Sequence, residues 1–192
     1  MTSSNKNNLE LSKESLRTAL LQLMHDTPLH QIKVTQLCQK AGVSRMAYYR
    51  NYPSLLALYQ DIIHSFLAEF LQNSYHYIQA GRWQDFWLEF FTYIHQHQDL
   101  VRIILNHQSQ SEILHYLNQL FVPKYQEISQ QQQYYIRGII GLTYNIMLAW
   151  VESDFNLLPE DLAQLCQQMI PSSLTDQGLH QFFHPKSDNQ DS

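Results

Sequence analysis

The sequence is poor in the residues that interrupt helices and in those that cross-link small secreted domains. Its 192 residues include only five glycines, six prolines and two cysteines. Cys38 and Cys166 are too few for a disulfide framework, and their wide separation does not fit a paired-thiol zinc site. We therefore expect a reducing, cytoplasmic environment. The scarcity of turn residues also favours helices over a protein built from strands and hairpins.

Long apolar runs are missing as well. The longest uncharged apolar-rich run covers residues 139–151 and is interrupted by Thr143 and Asn145, so it is shorter than a bilayer-spanning helix needs. Residues 1–8 are polar and lack the apolar stretch of a signal peptide. The sequence therefore predicts no membrane association. Its apolar fraction of 44% is nevertheless large enough for a buried core.

Charged residues are scarce, at 15%, and they are unevenly distributed. Residues 1–62 carry seven basic and four acidic side chains, a net charge of +3, although the whole chain has a net charge of −5. Residues 63–192 carry five basic and thirteen acidic side chains, a net charge of −8. A basic N-terminal segment joined to an acidic body is typical of a small nucleic-acid-binding module attached to a second domain.

Apolar residues recur at helical spacing along most of the chain and predict an all-α fold of about nine helices. Ser12, Ser44 and Ser54 are candidate N-caps of the first, third and fourth helices. The seventh helix is expected to extend to about residue 128, with Pro123 as a kink. The eighth helix is apolar almost all round, which predicts that it is buried on both sides.

Residues 34–54 predict a helix-turn-helix motif. Gly42 permits the positive φ of a sharp turn, and Ser44 satisfies amide groups at the start of the second helix. On the outer face of that helix an arginine can read guanine, and a small or apolar side chain can contact a thymine methyl group. The side chains expected on this face are Arg45, Met46, Ala47, Tyr49 and Arg50.

The run Ala41-Gly42-Val43-Ser44, followed by Tyr49-Arg50-Asn51-Tyr52-Pro53-Ser54 and Leu58, resembles the signature of the tetracycline-repressor (TetR) family. The resemblance implies an N-terminal three-helix DNA-binding domain and a larger helical domain for ligand binding and dimerisation. It also implies a homodimer that binds a palindromic operator. The corresponding domains are residues 9–53 and 54–184, and residues 1–8 and 185–192 are expected to be disordered.

Carried over by position, the resemblance assigns contacts with double-stranded DNA. Base contacts are expected from Arg45, Met46 and Ala47, and backbone or supporting contacts from Thr35, Gln36, Ser44, Tyr49, Arg50 and Asn51. Two departures from the family pattern reduce the number of phosphate contacts that we expect. Lys33 stands where the family often has a capping threonine, and Leu55 stands where it usually has a lysine.

Residues 135–153 and 158–162 resemble the ending of a TetR subgroup that includes dihydroxyacetone-kinase regulators. In the family, the last two helices of each subunit form the dimer interface, which here implies Gly138, Gly141, Leu142, Asn145 and Ala149. An intramolecular core helix is the alternative. A ligand pocket is expected between the fourth and eighth helices, from Trp83, Trp87, Phe90, Phe91, Tyr144 and Met147. An ordinary aromatic core is the alternative for these residues.

The leading interpretation is a one-component transcriptional regulator, expected to be a repressor, whose DNA affinity responds to a small-molecule effector. The alternative is a TetR-like protein-binding adaptor or co-regulator with weak or no specific DNA binding. The sequence has no Gly-rich phosphate loop, no nucleophile elbow and no His-Glu-x-x-His motif, and no His-x-x-x-His pair has an adjacent acidic or thiol ligand. We therefore expect no catalysis, no metal and no cofactor.

Overall fold

Helices account for most of the described chain. The computed structural model describes residues 3–106, 110–121 and 129–169, and within these ranges it contains nine α-helices and no strand. They are α1 (Ser3–Met24), α2 (Val34–Ala41), α3 (Arg45–Asn51), α4 (Leu55–Gln79), α5 (Trp83–Gln96), α6 (Gln98–Asn106), α7 (Gln110–Phe121), α8 (Gln130–Glu152) and α9 (Pro159–Met169). A short 3₁₀ helix, Leu29–Gln31, precedes α2. The predicted all-α fold class is confirmed.

Local signals set several helix ends where the sequence places them. Gly42 follows α2 with a left-handed backbone conformation, φ 67° and ψ 24°. The Ser44 hydroxyl oxygen accepts a hydrogen bond of 3.1 Å from the amide of Ala47 and caps α3. The Ser54 hydroxyl oxygen accepts a bond of the same length from the amide of Ala57 and caps α4. These three predicted roles are confirmed.

The first helix begins earlier than predicted. Ser12 is not its N-cap, because α1 starts at Ser3 and includes residues 3–8 of the segment predicted to be disordered. Each residue added to a formed helix contributes one more hydrogen bond, so the packed stripe further along supports the polar turns before it. The kink predicted at Pro123 and the disorder predicted for residues 185–192 lie outside the described residues.

The described residues divide into two compact units. The first comprises those within Met1–Ala68 and Asp99–Gln110, and the second comprises those within Glu69–Gln98 and Ser111–Ser192. The division therefore falls inside α4. The functional boundary predicted after residue 53 stays a prediction.

In the first unit, α1, α2 and α3 pack against one another around an apolar core. This core includes Leu16, Ala19, Leu20, Met24, Leu37, Cys38 and Tyr48. The buried residues of α1 follow helical spacing, so one face of α1 is the platform on which the two shorter helices rest.

In the second unit, α5 packs extensively on α9. The helix α8 buries one face, which includes Ile136, Tyr144 and Trp150, whereas Tyr134 on the same helix is 64% exposed. The described residues therefore cover only one side of α8, and the predicted burial of both sides would require a second covering surface. None of the helices in the described ranges combines the length and apolar character that crossing a bilayer requires.

Candidate nucleic-acid interface

The two helices of the predicted motif meet at a tight turn. The Gly42 backbone lies in the left-handed region, where an L side chain is strained even though a Cβ would meet nothing within 4 Å. The amide of Gly42 donates to the carbonyl of Gln39 at 3.3 Å, and the amide of Val43 donates to that of Cys38 at 3.1 Å. These bonds satisfy carbonyl groups at the end of α2 and tie the start of α3 to it.

A buried tyrosine and the serine cap together orient α3. Tyr48 is 0% exposed, and its ring centroid lies 5.0 Å from that of Tyr49 and 6.5 Å from that of Tyr52. With Tyr48 on the inner side of the short helix, neighbouring positions face outward. The side chains exposed on this outer face are Arg45, Met46, Tyr49 and Arg50.

The outer face of α3 combines positive charge with apolar surface. Arg45 begins the helix and Arg50 lies in its last turn, and within the described ranges neither guanidinium group forms an ion pair. Met46 between them is 83% exposed, and Tyr49 is 53% exposed. Guanidinium donors beside an apolar side chain match the acceptors and methyl groups that line the major groove of DNA.

The other predicted contacts differ in what they can offer to DNA. Thr35 and Gln36 are exposed in the first turn of α2, and Ala47 is half-buried. The side-chain Nδ2 of Asn51 donates to the carbonyl of Ala47 at 2.8 Å. This nitrogen carries two N–H donors, so a phosphate contact by Asn51 would use the second donor or replace the bond that stabilises the last turn of α3.

The Asp61 carboxylate forms hydrogen bonds with two side chains and supports the end of α3. These contacts were not predicted from the sequence. Asp61 Oδ2 accepts hydrogen bonds from Arg17 Nε at 2.8 Å and from the Tyr52 hydroxyl at 2.6 Å, and Arg17 Nη2 also lies 2.8 Å away. Arg17 is on α1, Tyr52 follows the last residue of α3, and Asp61 is on α4. The three side chains therefore join three helices of the first unit.

The protonation of this network follows from its partly buried position. Burial alone would lower the pKa of Arg17, but the hydrogen bond and charge of Asp61 outweigh it and hold that pKa above its usual value. Burial, together with the Asp61 hydrogen bond and charge, raises the pKa of Tyr52 well above its usual value. Both donors therefore keep their protons across the physiological range. Arg17 and Asp61 are 44 positions apart, and no local spacing signals their contact.

Three other buried groups make folding stability sensitive to alkaline pH. Burial raises the pKa of the Tyr48 hydroxyl to about 12, and burial with the nearby Glu69 carboxylate raises that of Tyr93 to about 12. Burial also raises the pKa of the Cys166 thiol to about 12. All three groups are protonated in the folded and unfolded chain below about pH 8, so their contribution to stability is complete there.

Above about pH 8 the unfolded chain loses these protons first, the thiol before the two hydroxyls, so the free energy of unfolding is expected to fall until about pH 12. Each group that is ionised only in the unfolded chain adds a slope of about 1.4 kcal/mol per pH unit. Urea unfolding followed by circular dichroism at pH 8, 10 and 11 measures this slope. Tyr48→Phe should make this slope shallower than that of the wild-type chain, because the unfolded variant has one hydroxyl fewer to ionise. Equal slopes in the variant and the wild-type chain would contradict the assignment to Tyr48.

The residues predicted to form a ligand pocket lie in the aromatic core of the second unit. Phe90 is half-buried, and the buried ones are Trp83, Trp87, Phe91, Tyr144 and Met147. The indole nitrogens of Trp83 and Trp87 are buried, and neither has a hydrogen-bond partner among the described residues. Buried donors normally have an acceptor, so these two indoles distinguish this part of the core from an ordinary apolar one.

The residues predicted to form a dimer interface lie on the side of α8 that its own chain leaves accessible. Gly138, Asn145 and Ala149 are exposed, and Gly141 and Leu142 are half-buried. An added Cβ at either glycine would meet nothing within 4 Å. Another helix could therefore approach the α8 backbone closely along this side.

The remaining observations concern metal binding and similarity to known proteins. Within residues 3–106, 110–121 and 129–169, no group of three or more histidine, cysteine, aspartate and glutamate side chains is placed to hold a metal ion. Residues 81–172 match a TetR family model for the C-terminal region of transcriptional regulators. No curated protein matches the chain. Because the family match begins after α3, the assigned DNA contacts stay predictions, and so does the subgroup.

Proposed function

We propose that this chain, whose residues 81–172 match a TetR family model for the C-terminal region of transcriptional regulators, is a cytoplasmic, one-component repressor of that family that binds a palindromic DNA operator with α3. The outer face of α3 carries this proposal. Its inner side is fixed by the buried Tyr48 and the Ser44 cap, while Arg45, Met46, Tyr49 and Arg50 remain exposed. A short, rigidly held helix with exposed basic side chains suits insertion into the major groove.

Two copies of this helix are needed to read a palindrome, so we propose a homodimer formed through α8 and α9. The exposed side of α8 and the accessible side chains Leu165 and Met169 of α9, 39% and 50% exposed, supply apolar surface for a partner. Half-sites one turn of DNA apart require the two α3 helices of such a dimer to lie about 34 Å from each other.

We propose that a small-molecule effector binds among the aromatic side chains of the second unit and changes the affinity for DNA. The unpartnered indoles of Trp83 and Trp87 support this proposal, because a ligand could supply the missing acceptors. Such an effector acts by binding the DNA-competent and DNA-incompetent states of the dimer with different affinity. This proposal assigns no catalytic role to the chain.

The test of DNA binding is a selection from random double-stranded DNA with the full chain, followed by gel-shift titration at two salt concentrations. We expect a palindromic consensus whose binding weakens as salt rises, because cationic side chains displace counterions from phosphates. Unselective binding, or no binding at low salt, would refute the proposal.

Arg45→Ala is expected to weaken binding to the selected site about tenfold to hundredfold per half-site, the usual worth of one bidentate arginine–guanine contact. It should also relax the preference at one base pair in each half-site. Arg82→Ala is the matched control, because Arg82 is an exposed arginine of the second unit. If both variants bind the consensus as tightly as the wild-type chain, Arg45 is not a base-reading residue.

Ala149→Glu is expected to convert the dimer to a monomer in sedimentation velocity, because it places a charge on the exposed side of α8. Gln79→Glu changes an exposed residue at the end of α4 and should leave the sedimentation coefficient unchanged. The monomeric variant should retain only weak DNA binding, since each subunit then engages a single half-site. A dimer that survives the Ala149 change would place the interface elsewhere.

The second candidate function is a protein-binding adaptor with weak or no specific DNA binding. Two observations favour it: Lys33 occupies the N-cap of α2 without a side-chain cap bond, and the first residue of α4 is Leu55 in place of a phosphate-binding lysine. Losing one phosphate contact lowers the salt-dependence slope by about one unit per half-site. An adaptor would show no consensus in the DNA selection, so the same experiment separates the two functions.

A further inference from the structure

Met46 stands out among the apolar side chains of this chain. At 83% it is the most exposed large hydrophobic side chain of the residues that the structure describes. It is the second residue of α3, directly after Arg45 and two positions after the Ser44 cap. The cap and the buried Tyr48 fix the helix that carries it. The thioether of Met46 is therefore exposed on a helix whose backbone is held in place.

The chemistry of DNA limits what Met46 could contact in the major groove. Guanine, adenine and cytosine present hydrogen-bond donors and acceptors there, and thymine alone adds a methyl group. A methionine side chain has no donor and only a weak acceptor. Burial against an oxygen or an exocyclic amine would leave those polar groups unpaired, which costs free energy. Contact with a thymine methyl group carries no such cost.

The neighbouring residue sets the second element of the site. Arg45 is exposed, begins α3 and forms no ion pair within the described ranges, so its donors are available for the two acceptors of guanine. The N-terminal residues of a recognition helix are those that contact base edges. Consecutive residues in the first turn of a recognition helix can therefore contact bases of the same half-site.

We propose that Met46 is a specificity-determining residue that packs on a thymine 5-methyl group, in a half-site that also contains the guanine read by Arg45. The proposal rests on the proposed function, because it requires α3 to enter the major groove. It assigns the operator a chemical feature, a methyl group at a fixed position, that the basic side chains cannot sense.

Replacing thymine by deoxyuridine removes this methyl group and changes no base pair. The selected operator is synthesised with one thymine of each half-site replaced in turn, and the duplexes are titrated with the full chain. Burial of one methyl group corresponds to about a fourfold change in affinity per half-site. We therefore expect one thymine position whose replacement in both half-sites weakens binding about fifteenfold.

Met46→Ala should bind the thymine and deoxyuridine operators with equal affinity, because no side chain then reaches the methyl group. Leu11→Ala, at an exposed apolar residue of α1, should keep the wild-type ratio between the two operators. Thymine sensitivity that persists in Met46→Ala, or its absence from the wild-type chain while the consensus is still bound, would overturn this inference alone. A chain that selects no consensus would overturn the proposed function as well.

Discussion

Replacing Asp61 by asparagine is expected to lower the free energy of unfolding by about 2 kcal/mol, because Arg17 loses the carboxylate to which it is paired. Breaking a fully buried ion pair costs about 3–5 kcal/mol, and an exposed pair is worth about 0–1 kcal/mol. The Arg17 and Asp61 side chains are 24% and 29% exposed, so their pair lies between these cases. Urea unfolding followed by circular dichroism at pH 7 measures the change.

The chain offers a matched control for this experiment. Arg82 and Asp85 also lie 2.8 Å apart, but their side chains are 56% and 41% exposed. Asp85→Asn is therefore expected to change the unfolding free energy by less than about 1 kcal/mol. If Asp61→Asn and Asp85→Asn have the same effect, the network of Asp61 adds nothing beyond an exposed ion pair.

The same network should matter for DNA binding, because Tyr52 follows the last residue of α3 and donates to Asp61. Tyr52→Phe removes that single hydrogen bond, so its effect on stability should be smaller than that of Asp61→Asn. Both changes should weaken binding to the selected operator more than binding to unrelated DNA, since phosphate contacts tolerate a small shift of α3 better than base contacts do.

Trp150→Ala is expected to cost about 3–5 kcal/mol of stability, the usual effect of truncating a buried aromatic side chain. Trp150 is 2% exposed, and its ring centroid lies 5.7 Å from that of Phe91 and 4.8 Å from that of Phe155. Its indole nitrogen also donates to the carbonyl of Leu157 at 3.0 Å, so it ties the end of α8 to the segment before α9. Thermal and urea unfolding by circular dichroism measure the loss.

Two conservative variants separate ring packing from this hydrogen bond. Trp150→Phe keeps much of the packing and loses the bond to Leu157, whereas Trp87→Phe changes an indole whose nitrogen has no partner among the described residues. We therefore expect Trp150→Phe to be the more destabilising by about 1 kcal/mol. Equal losses would mean that the Leu157 bond contributes nothing measurable.

Several features of the fold can be predicted from short stretches of sequence. Gly42 adopts the left-handed conformation predicted for it, and Ser44 and Ser54 cap the helices that follow them. These roles depend on the backbone of a few consecutive residues, so a local pattern is sufficient to predict them. The predicted start of α1 was wrong, because a helix can extend into a polar segment that has no cap of its own.

The amino-acid sequence by itself determined the helical class, the turn between α2 and α3, and the residues of the outer face of α3 apart from the half-buried Ala47, because each depends on contacts within about one helical turn. Only the tertiary structure decided that Arg17 and Tyr52 meet on Asp61, that the Trp150 indole has an acceptor, and that the Trp87 indole has none among the described residues. Those outcomes depend on packing between helices that are distant in the sequence, and hydrophobic spacing selects a buried face without specifying which polar atoms meet there.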